Sequence, residues 1–445
     1  MLELIYIYLF GVNVPVGDQW EIIPLIEMSQ NGDLVLGDLF DQHNEHRILF
    51  PRIIMLTLAH ITHYNTIAEM YFSWVIQLLI FAILVMMYKQ SSGLSELSLL
   101  AFMPISWLVF SLRQFENILW GWQIQIYLCV LGFIFSVYML ERAEKIDAKF
   151  LLAIFGGILS TFSFVNGLLV WPTGLIFLYT TKANKRLKGF WLIFSISIYY
   201  LYFYNWVRPQ YHPSPYYIIE NPLKSFLYFV VNIGSPLGFT PEIAFAIGLI
   251  LLVSAIIFFI ILWHHGLLKE NANWLSLIFF SFASSFAMTV GRAGFGVGQA
   301  FSSRYVTITL LGVIGLYLVI INNREKLSQV KPFNKATYLI VSKNKRLNQT
   351  SKAVLIGAVL AAILIILFIY LYLGFMIGIS TKSSREDGAY YLETYMTQPD
   401  KNLTILYPSP DIVRERAPIL ENYKLSVFTL NRTDDINLAQ HLILA

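Results

Sequence analysis

Long apolar stretches alternate with short polar connections along most of the chain. Runs of about 18 or more apolar residues predict helices that cross a bilayer, because their length matches the thickness of its hydrocarbon core. Shorter apolar runs bounded by polar turns complete a series of eleven candidate spans. These are 2–14, 66–88, 97–112, 118–140, 150–166, 167–181, 190–207, 241–263, 274–290, 305–322 and 353–379. The pattern predicts an α-helical polytopic membrane protein with about eleven transmembrane helices.

Composition agrees with this prediction and excludes other classes of protein. The 445 residues are 57% hydrophobic and 13% charged, and the mean hydropathy is +0.61. A formal net charge of +4 is too small to indicate a nucleic-acid partner. The hydropathy indicates membrane lipid as the expected partner. The single cysteine, Cys129, lies in an apolar run and cannot form an intrachain disulfide, so we expect a small buried side chain.

The segment 223–238 is ambiguous, and the distribution of basic residues decides its topology. If this segment does not cross the membrane, five loops carrying 17 of the 31 lysines and arginines share one side. These loops are 89–96, 141–149, 182–189, 264–273 and 323–352. If it crosses, the basic loop 323–352 moves to the face opposite 182–189. We therefore predict that 223–238 is re-entrant or interfacial and that the basic loops are cytoplasmic.

The same topology places the polar stretches with the most ionisable chemistry on the outer face. They are GDLFDQHNEHRILFPR (37–52), RQFEN (113–117), RPQYHPSP (208–215) and GRAGFGVGQAFSSR (291–304). Residues 13–65 form a long first outer loop, in which EIIPLIEM and ILFPRIIMLTLAHI predict amphipathic helices lying in the interface. Residues 323–352 form a basic cytoplasmic linker suited to anionic lipid.

The residues after the last candidate span change in character. In 380–445, the runs NLTILYP and LSVF predict strands, and SPDIVRERAPILENY predicts a helix with Ser409 as its cap and Pro410 at its first position. The sequence therefore predicts a transmembrane domain over 1–379 and a small soluble α/β domain over 380–445 on the outer side.

Two acids are candidate catalytic groups. Asp18, in VGDQW, follows the first span and lies beside Trp20, where burial can raise the carboxyl pKa and make it a general base. The alternative is a solvated loop acid. Glu116 lies in a short turn between two spans, where it either faces Asp18 across a cavity or pairs locally with Arg113.

The segment GRAGFGVGQAFSSR has the composition of an anion site. Its glycines let backbone N–H groups approach an anion, and Arg292 and Arg304 each offer a planar fork that matches phosphate. Ser303 and Arg113 are further candidate phosphate ligands. The segment lacks the GK[ST] of a nucleotide loop. The alternative is that these arginines extend to the membrane surface without binding a ligand.

The segment 37–52 carries four further candidates for substrate binding: His43, Glu45, His46 and Arg47. His43 and His46, like His60 and His63, form an HxxH pair, so a divalent cation is an open alternative. The spacing is not that of a zinc protease, and we predict hydrogen-bonded histidines and no metal. The tyrosines and His212 of RPQYHPSPYYIIENP suit either sugar stacking or ordinary interfacial anchoring.

This layout resembles the GT-C superfold of membrane glycosyltransferases, including bacterial members that use polyprenyl-phosphate sugars. In that superfold an acid of the first outer loop is the catalytic base, and Asp18 in GDQW matches its position. Glu116 matches a second acid between the third and fourth spans, and Arg292 or Arg304 matches a phosphate-binding arginine of the later loops. The paired Asp-Glu of some members is absent, since Gln19 follows Asp18. The string DLFDQHNEHRILFPR is also similar to uncharacterised bacterial membrane proteins.

The resemblance implies an inverting transfer on the outer leaflet of a bacterial cytoplasmic membrane, from a lipid-linked sugar donor to a glycan, lipid or protein acceptor. No cofactor is implied with certainty. A transporter or flippase of a lipid-linked or anionic substrate is the alternative class, because ionisable residues in membranes also mark transport paths. A transporter predicts inverted repeats, and none is evident in the sequence.

Overall fold

The computed structural model describes residues 1–92, 96–328 and 349–429. Almost all regular structure in this part is helical. Helices of the first half are α1 (Leu2–Phe10), α2 (Ile23–Asn31), α3 (Leu36–Phe40), α4 (Leu49–Thr62), α5 (Thr66–Ser92), α6 (Glu96–Val109), α7 (Phe115–Leu119), α8 (Ile124–Arg142), α9 (Ala148–Thr161), α10 (Val170–Thr180) and α11 (Lys185–Phe203). They are followed by α12 (Tyr217–Glu220), α13 (Pro222–Gly234), α14 (Pro241–His264), α15 (Ala272–Arg292), α16 (Val297–Ala300), α17 (Val306–Ser328), α18 (Gln349–Glu393), α19 (Asp400–Leu403) and α20 (Pro410–Asn422).

The strands of the described residues are β1 (Gln42–His43) and β2 (His46–Arg47), which form one antiparallel hairpin. Short 3₁₀ helices connect several elements. They are Gly17–Glu21, Leu112–Gln114, Gly121–Gln123, Val165–Leu169, Ala293–Phe295, Ser303–Tyr305 and Ser426–Phe428.

Five helices of the described chain are long and apolar enough to cross a membrane: Thr66–Ser91, Gly121–Arg142, Pro241–His264, Ala272–Phe295 and Val297–Arg324. The protein is therefore a helical membrane protein, as its hydropathy predicts. The count of eleven spans stays a prediction. With 14 and 11 residues, α9 and α10 rise only about 21 Å and 17 Å, less than the roughly 30 Å of a hydrocarbon core.

Small residues allow the closest helix contacts. A carbon added at Gly132 of α8 would lie 2.6 Å from the Gly156 carbonyl oxygen of α9, and one at Gly156 would lie 2.8 Å from the Gly132 oxygen. Beside this contact, Phe133 and Phe280 stack with their ring centroids 3.9 Å apart. In lipid the hydrophobic effect does not drive helices together. Close backbone approach and aromatic stacking therefore hold these helices in contact.

The segment 223–238 forms a helix that is short for a span. α13 has 13 residues, which rise about 20 Å. It packs closely along α14 through Gly234 and Gly248, whose Cα atoms face backbone atoms of the other helix. The interpretation of this segment as re-entrant or interfacial stays a prediction.

The predicted cytoplasmic loops meet at one end of the bundle. Lys326 pairs with Glu270 at 2.5 Å, and the Asn323 side chain donates to Asn271 Oδ1 at 2.7 Å. Arg142 donates to Gln90, which connects two further loops at this end. The part of the basic linker from 329 to 348 lies outside the described residues. The polar stretches predicted on the outer face meet at the other end, described below.

The C-terminal segment corrects one prediction. NLTILYP forms α19 and a turn, and LSVF overlaps the 3₁₀ helix Ser426–Phe428, so the two predicted strands are wrong, and the described part of this segment is helical where α/β structure was expected. Leu403 and Leu406 lie three residues apart on one buried face, which is helical spacing. The helix predicted over SPDIVRERAPILENY is confirmed as α20. Residues 430–445 lie outside the described part.

This C-terminal segment packs against the first outer loop. The Gly17 N–H donates to the Leu406 carbonyl at 2.7 Å, and Arg416 pairs with Glu21 at 3.1 Å. The Ser426 N–H donates to the His63 carbonyl at 2.9 Å. The loop contains α2 and α4, which confirm the two amphipathic helices predicted there.

Candidate functional site

Asp18 is held in a tightly constrained turn. Gly17 has φ +54, and a side-chain carbon there would lie 3.0 Å from the Trp120 ring, so glycine fits both the conformation and the space. The next side chain, Gln19, is buried and donates to Glu69 Oε2 at 2.7 Å. These contacts fix the 3₁₀ helix that presents the Asp18 carboxylate.

The β-hairpin brings two histidines to this carboxylate. Asn44 and Glu45 form its two-residue turn, in which Asn44 has φ +50, a conformation that asparagine tolerates well. His43 and His46 are directly paired across the strands. His43 Nε2 lies 3.8 Å from Asp18 Oδ2, and the His43 ring packs edge-on against Trp122.

Glu45, at the tip of the hairpin, is the centre of the charged cluster. Arg292, from the end of α15, donates to Glu45 Oε1. His46 Nε2 lies 3.5 Å from Oε1, and His212 Nε2 lies 3.5 Å from Oε2. Burial raises the pKa of the Glu45 carboxyl, but His46 and the Arg292 guanidinium outweigh burial and lower it to about 2. Glu45 is therefore an anion at neutral pH.

His46 is a buried, neutral ring. It stacks on Phe164 with centroids 4.2 Å apart, and the Val165 N–H donates to its Nδ1 at 3.2 Å. Burial lowers the pKa of His46 to about 4. Because Nδ1 accepts a hydrogen bond, the ring proton lies on Nε2, the nitrogen that faces Glu45.

Asp18 differs from the sequence prediction in one respect. Burial raises its pKa, as expected, but the neighbouring His43, whose Nε2 lies 3.8 Å away, and the charge of Arg304 hold the pKa below the ordinary value of an aspartate. Asp18 is therefore ionised at neutral pH, the state in which a carboxylate accepts a proton. The lowered pKa makes it a weaker base than the sequence alone predicts.

Glu116 lies on the first turn of α7 and contacts the glycine-rich segment. Ser302 Oγ donates to Glu116 Oε2 at 3.1 Å, and Ser303 Oγ donates to the same oxygen. Arg304 Nε lies 3.6 Å from Glu116 Oε1, and both of these side chains are about one-third exposed. The predicted local pair between Glu116 and Arg113 is replaced by this contact with Arg304.

The two predicted phosphate-binding arginines have different surroundings. Arg292 is committed to Glu45 and also donates to the Tyr305 hydroxyl at 3.3 Å. Arg304 directs only Nε at its neighbours, and within the described residues neither of its Nη nitrogens makes a hydrogen bond. Arg304 is therefore the better placed of the two to bind an anionic ligand.

A cavity of about 430 Å³ opens beside Glu116 and has two chemically distinct parts. One part is polar and is lined by Arg113, Glu116, Ser302 and Ser303. The other is apolar and is lined by Phe239, Leu373 and Ile377, and the Tyr370 ring packs against Phe239 with centroids 4.3 Å apart. Such a lining suits a ligand with an anionic head and an apolar tail.

Two polar atoms in this lining have no hydrogen-bond partner within the described chain, namely Arg113 Nε and the Tyr370 hydroxyl. Arg113 packs over the Phe301 ring at 4.1 Å and donates one Nη hydrogen bond to the Phe301 carbonyl at 2.7 Å. A buried guanidinium with a spare donor is costly unless a ligand or water satisfies it.

Arg47 does not join this site. Its guanidinium donates to the backbone carbonyls of Tyr202, Phe40 and Tyr204, which fastens the hairpin to the end of α11. The second HxxH pair is also apart, with His60 bonded to Ser29 at 2.8 Å. No group of three His, Cys, Asp or Glu side chains close enough to hold a metal occurs in the described residues.

Several members of the site are not singled out by the sequence. Gln299 donates to the Tyr305 hydroxyl at 2.7 Å and accepts from the Tyr228 hydroxyl at 2.5 Å, which extends the cluster from Arg292 to α13. His212 is noted in the sequence only as part of an aromatic loop. Gln299, Tyr305, Tyr228 and His212 share one feature that the sequence could have shown. Each is a polar or aromatic residue in or near a segment that is predicted on the outer face.

The fold and this site define a multi-helix membrane protein with a charged cluster at one end, formed by Asp18, His43, Glu45, His46, His212 and Arg292, next to an amphiphilic cavity. No protein-family model matches the chain, and no solved structure matches it either. An uncharacterized protein of Archaeoglobus fulgidus is 29% identical over 252 residues, which cover 50% of this chain and 59% of that protein. The chain thus spans less than two thirds of that relative's length, and the relative's description gives no activity.

Proposed function

We propose that the protein is a membrane glycosyltransferase that moves a sugar from a polyprenyl-phosphate donor to an acceptor hydroxyl at the outer leaflet. The observation that carries this proposal is the amphiphilic cavity, whose polar lining is close to the charged cluster that contains Asp18. Arg304 connects the two, because it contacts Glu116 on the cavity wall and its charge acts on Asp18. The placement at the outer leaflet follows from the basic loops at the opposite end.

In the proposed reaction the polyprenyl tail lies against the apolar wall of the cavity, and the phosphate lies near Arg113 and Arg304. The acceptor oxygen attacks the anomeric carbon while Asp18 takes its proton, and the bond from that carbon to the phosphate oxygen breaks. Polyprenyl phosphate leaves with the bonding electrons, and the two arginines stabilise its added charge. His43 orients Asp18, and Glu45 with Arg292 holds the hairpin that carries His43.

The test is release of polyprenyl phosphate from polyprenyl-phosphate sugars by the purified protein in nanodiscs, followed by mass spectrometry. We expect Asp18→Asn to reduce transfer at least about 100-fold, the usual contribution of a general base. The control is Asp33→Asn, which removes an exposed acid of the same loop and should leave transfer unchanged. Full activity of Asp18→Asn with a donor that wild type consumes would refute the assignment of the base.

A binding measurement separates donor recognition from chemistry. We expect Arg113→Met to weaken binding of polyprenyl phosphate by about tenfold or more, the effect of losing a charged hydrogen bond. Asp18→Asn should bind this ligand as wild type does. If polyprenyl phosphate binds neither wild type nor variants, the proposed donor class is wrong.

A further inference from the structure

A second cavity, of about 390 Å³, lies at the end of the helices opposite the charged cluster. It is bounded by the connections that follow α8, α10 and α14. Its polar lining consists of Glu141, Glu144, Thr181, Asn184, Lys269 and Asn273. The proposed transfer reaction uses none of these residues, so the cavity requires a separate explanation.

Asn273 gives the clearest sign that this cavity binds a ligand. Its side chain is only 7% exposed and lines the cavity, yet its Oδ1 has no hydrogen-bond partner within the described residues. The Glu141 side chain lies beside Asn273, and its Oε2 also lies 3.4 Å from Arg142 Nη1. A buried acceptor without a donor is costly, and two carboxylates beside it favour a ligand that is cationic and rich in N–H groups.

Lys269 adds the opposite charge to the same lining. A ligand that satisfies the whole set therefore carries an ammonium group for the acceptors Glu141, Glu144 and Asn273, and an anionic group for Lys269. A phosphate attached to a primary amine has both groups within a few bonds.

An apolar cavity of about 330 Å³ adjoins this one, and both linings include Phe177 and Ala272. Its walls are side chains of α10, α14 and α15, among them Ile176, Phe259 and Phe279. A small soluble zwitterion gains nothing from such a space, whereas an acyl chain attached to the headgroup fills it. The adjoining cavities thus favour a lipid over a free metabolite.

We propose that the two cavities bind one phospholipid with a primary-ammonium headgroup, such as an ethanolamine phospholipid, in the leaflet beside the basic loops. Glu141, Glu144 and Asn273 Oδ1 accept hydrogen bonds from the ammonium, and Lys269 contacts the phosphate. One acyl chain enters the apolar cavity past Phe177. This proposal does not depend on the transfer reaction.

The test is native mass spectrometry of the purified protein after exchange with equal amounts of ethanolamine, glycerol and choline phospholipids of identical acyl chains. We expect selective retention of the ethanolamine lipid, because the glycerol headgroup lacks a cation and the choline headgroup lacks N–H donors. The double variant Glu141→Gln, Glu144→Gln should lose about tenfold of this selectivity. The control is Glu242→Gln, at an exposed carboxylate outside this cavity.

Equal retention of the three lipids by wild type would overturn the proposal, and so would unchanged selectivity in the double variant. If that variant does not fold, the comparison of the three lipids with wild type still decides. A further arm adds soluble phosphoethanolamine at the same concentration. Displacement of the lipid by this compound would show a site for a soluble ligand, and we expect none.

Discussion

His43 determines the protonation of Asp18, and this gives a prediction for pH dependence. In the proposed reaction transfer requires the Asp18 carboxylate, so we expect activity to fall as pH drops through its pKa, which lies below the ordinary value. His43→Ala removes the neighbouring ring that helps to lower the pKa of Asp18, so this pKa rises. We therefore expect the acid limb of the rate profile to move to higher pH. A limb that stays in place or moves to lower pH contradicts this role.

Glu45 predicts a pH-dependent contribution to stability. Its pKa is lowered to about 2 in the folded protein, against about 4.3 when unfolded, so its stabilising effect is fully present above the higher value and is lost as pH falls. We expect Glu45→Gln to cost about 3 kcal/mol at pH 7, since it leaves Arg292 buried without its anion.

The measurement is the Tm of wild type and variant in the same detergent from pH 7 to pH 3. The difference should roughly halve between pH 5 and pH 3. A matched variant, Glu220→Gln, changes an exposed carboxylate close in sequence to His212, a neighbour of Glu45, and should show no such trend. A constant difference for Glu45→Gln would mean that the side chain acts by packing alone.

At the level of elements, the β-hairpin depends on one backbone conformation. Asn44 has φ +50, which a β-branched residue adopts only at a cost of about 1–2 kcal/mol. Asn44→Val should therefore lower both Tm and transfer, because the turn positions His43 and Glu45. Asn44→Gly also loses the contact of Asn44 with His43, but it tolerates the conformation and should retain most of both properties. Equal losses in the two variants would show that the side chain, and not the backbone, matters.

Much of the helical framework follows from the sequence because each element is specified locally. The hydropathy of Pro241–His264 and the amphipathic pattern of α4 each lie within one continuous stretch. Short apolar runs such as NLTILYP suit a strand or a helical turn equally, so the C-terminal strands could not be predicted correctly. Packing against residues 13–65 selects the helical turn in the folded protein.

The site is predictable only in part, for a related reason. Asp18, Glu116 and Arg304 stand out because each is an ionisable residue in an otherwise apolar region, and the structure places them close together. The pairing of Glu45 with Arg292 joins residues 247 positions apart, and no local pattern specifies it. The sequence therefore identifies many of the participants but not their partners.

For the whole molecule, the prediction concerns orientation. The charged cluster around Glu45 and the basic loops lie at opposite ends of the helices, and the positive-inside rule places the basic end in the cytoplasm. In a Cys129→Ser background, Asp33→Cys should react with an impermeant thiol reagent from outside, whereas Lys145→Cys should react only after the membrane is opened. The reverse pattern would invert the proposed orientation and exclude an outer-leaflet site.

The docking of the C-terminal segment has a consequence for the order of assembly. Tyr407 donates to Glu21 at 2.8 Å across 386 residues, and Arg416 donates to the Trp20 carbonyl at 2.8 Å across 396. These bonds support the turn that carries Asp18, yet their donors are synthesised after all five helices of the described chain that are long and apolar enough to cross a membrane. A nascent chain in which those five helices are already inserted still lacks this support, so the turn that carries Asp18 takes its final form only after residues 407–416 have been made.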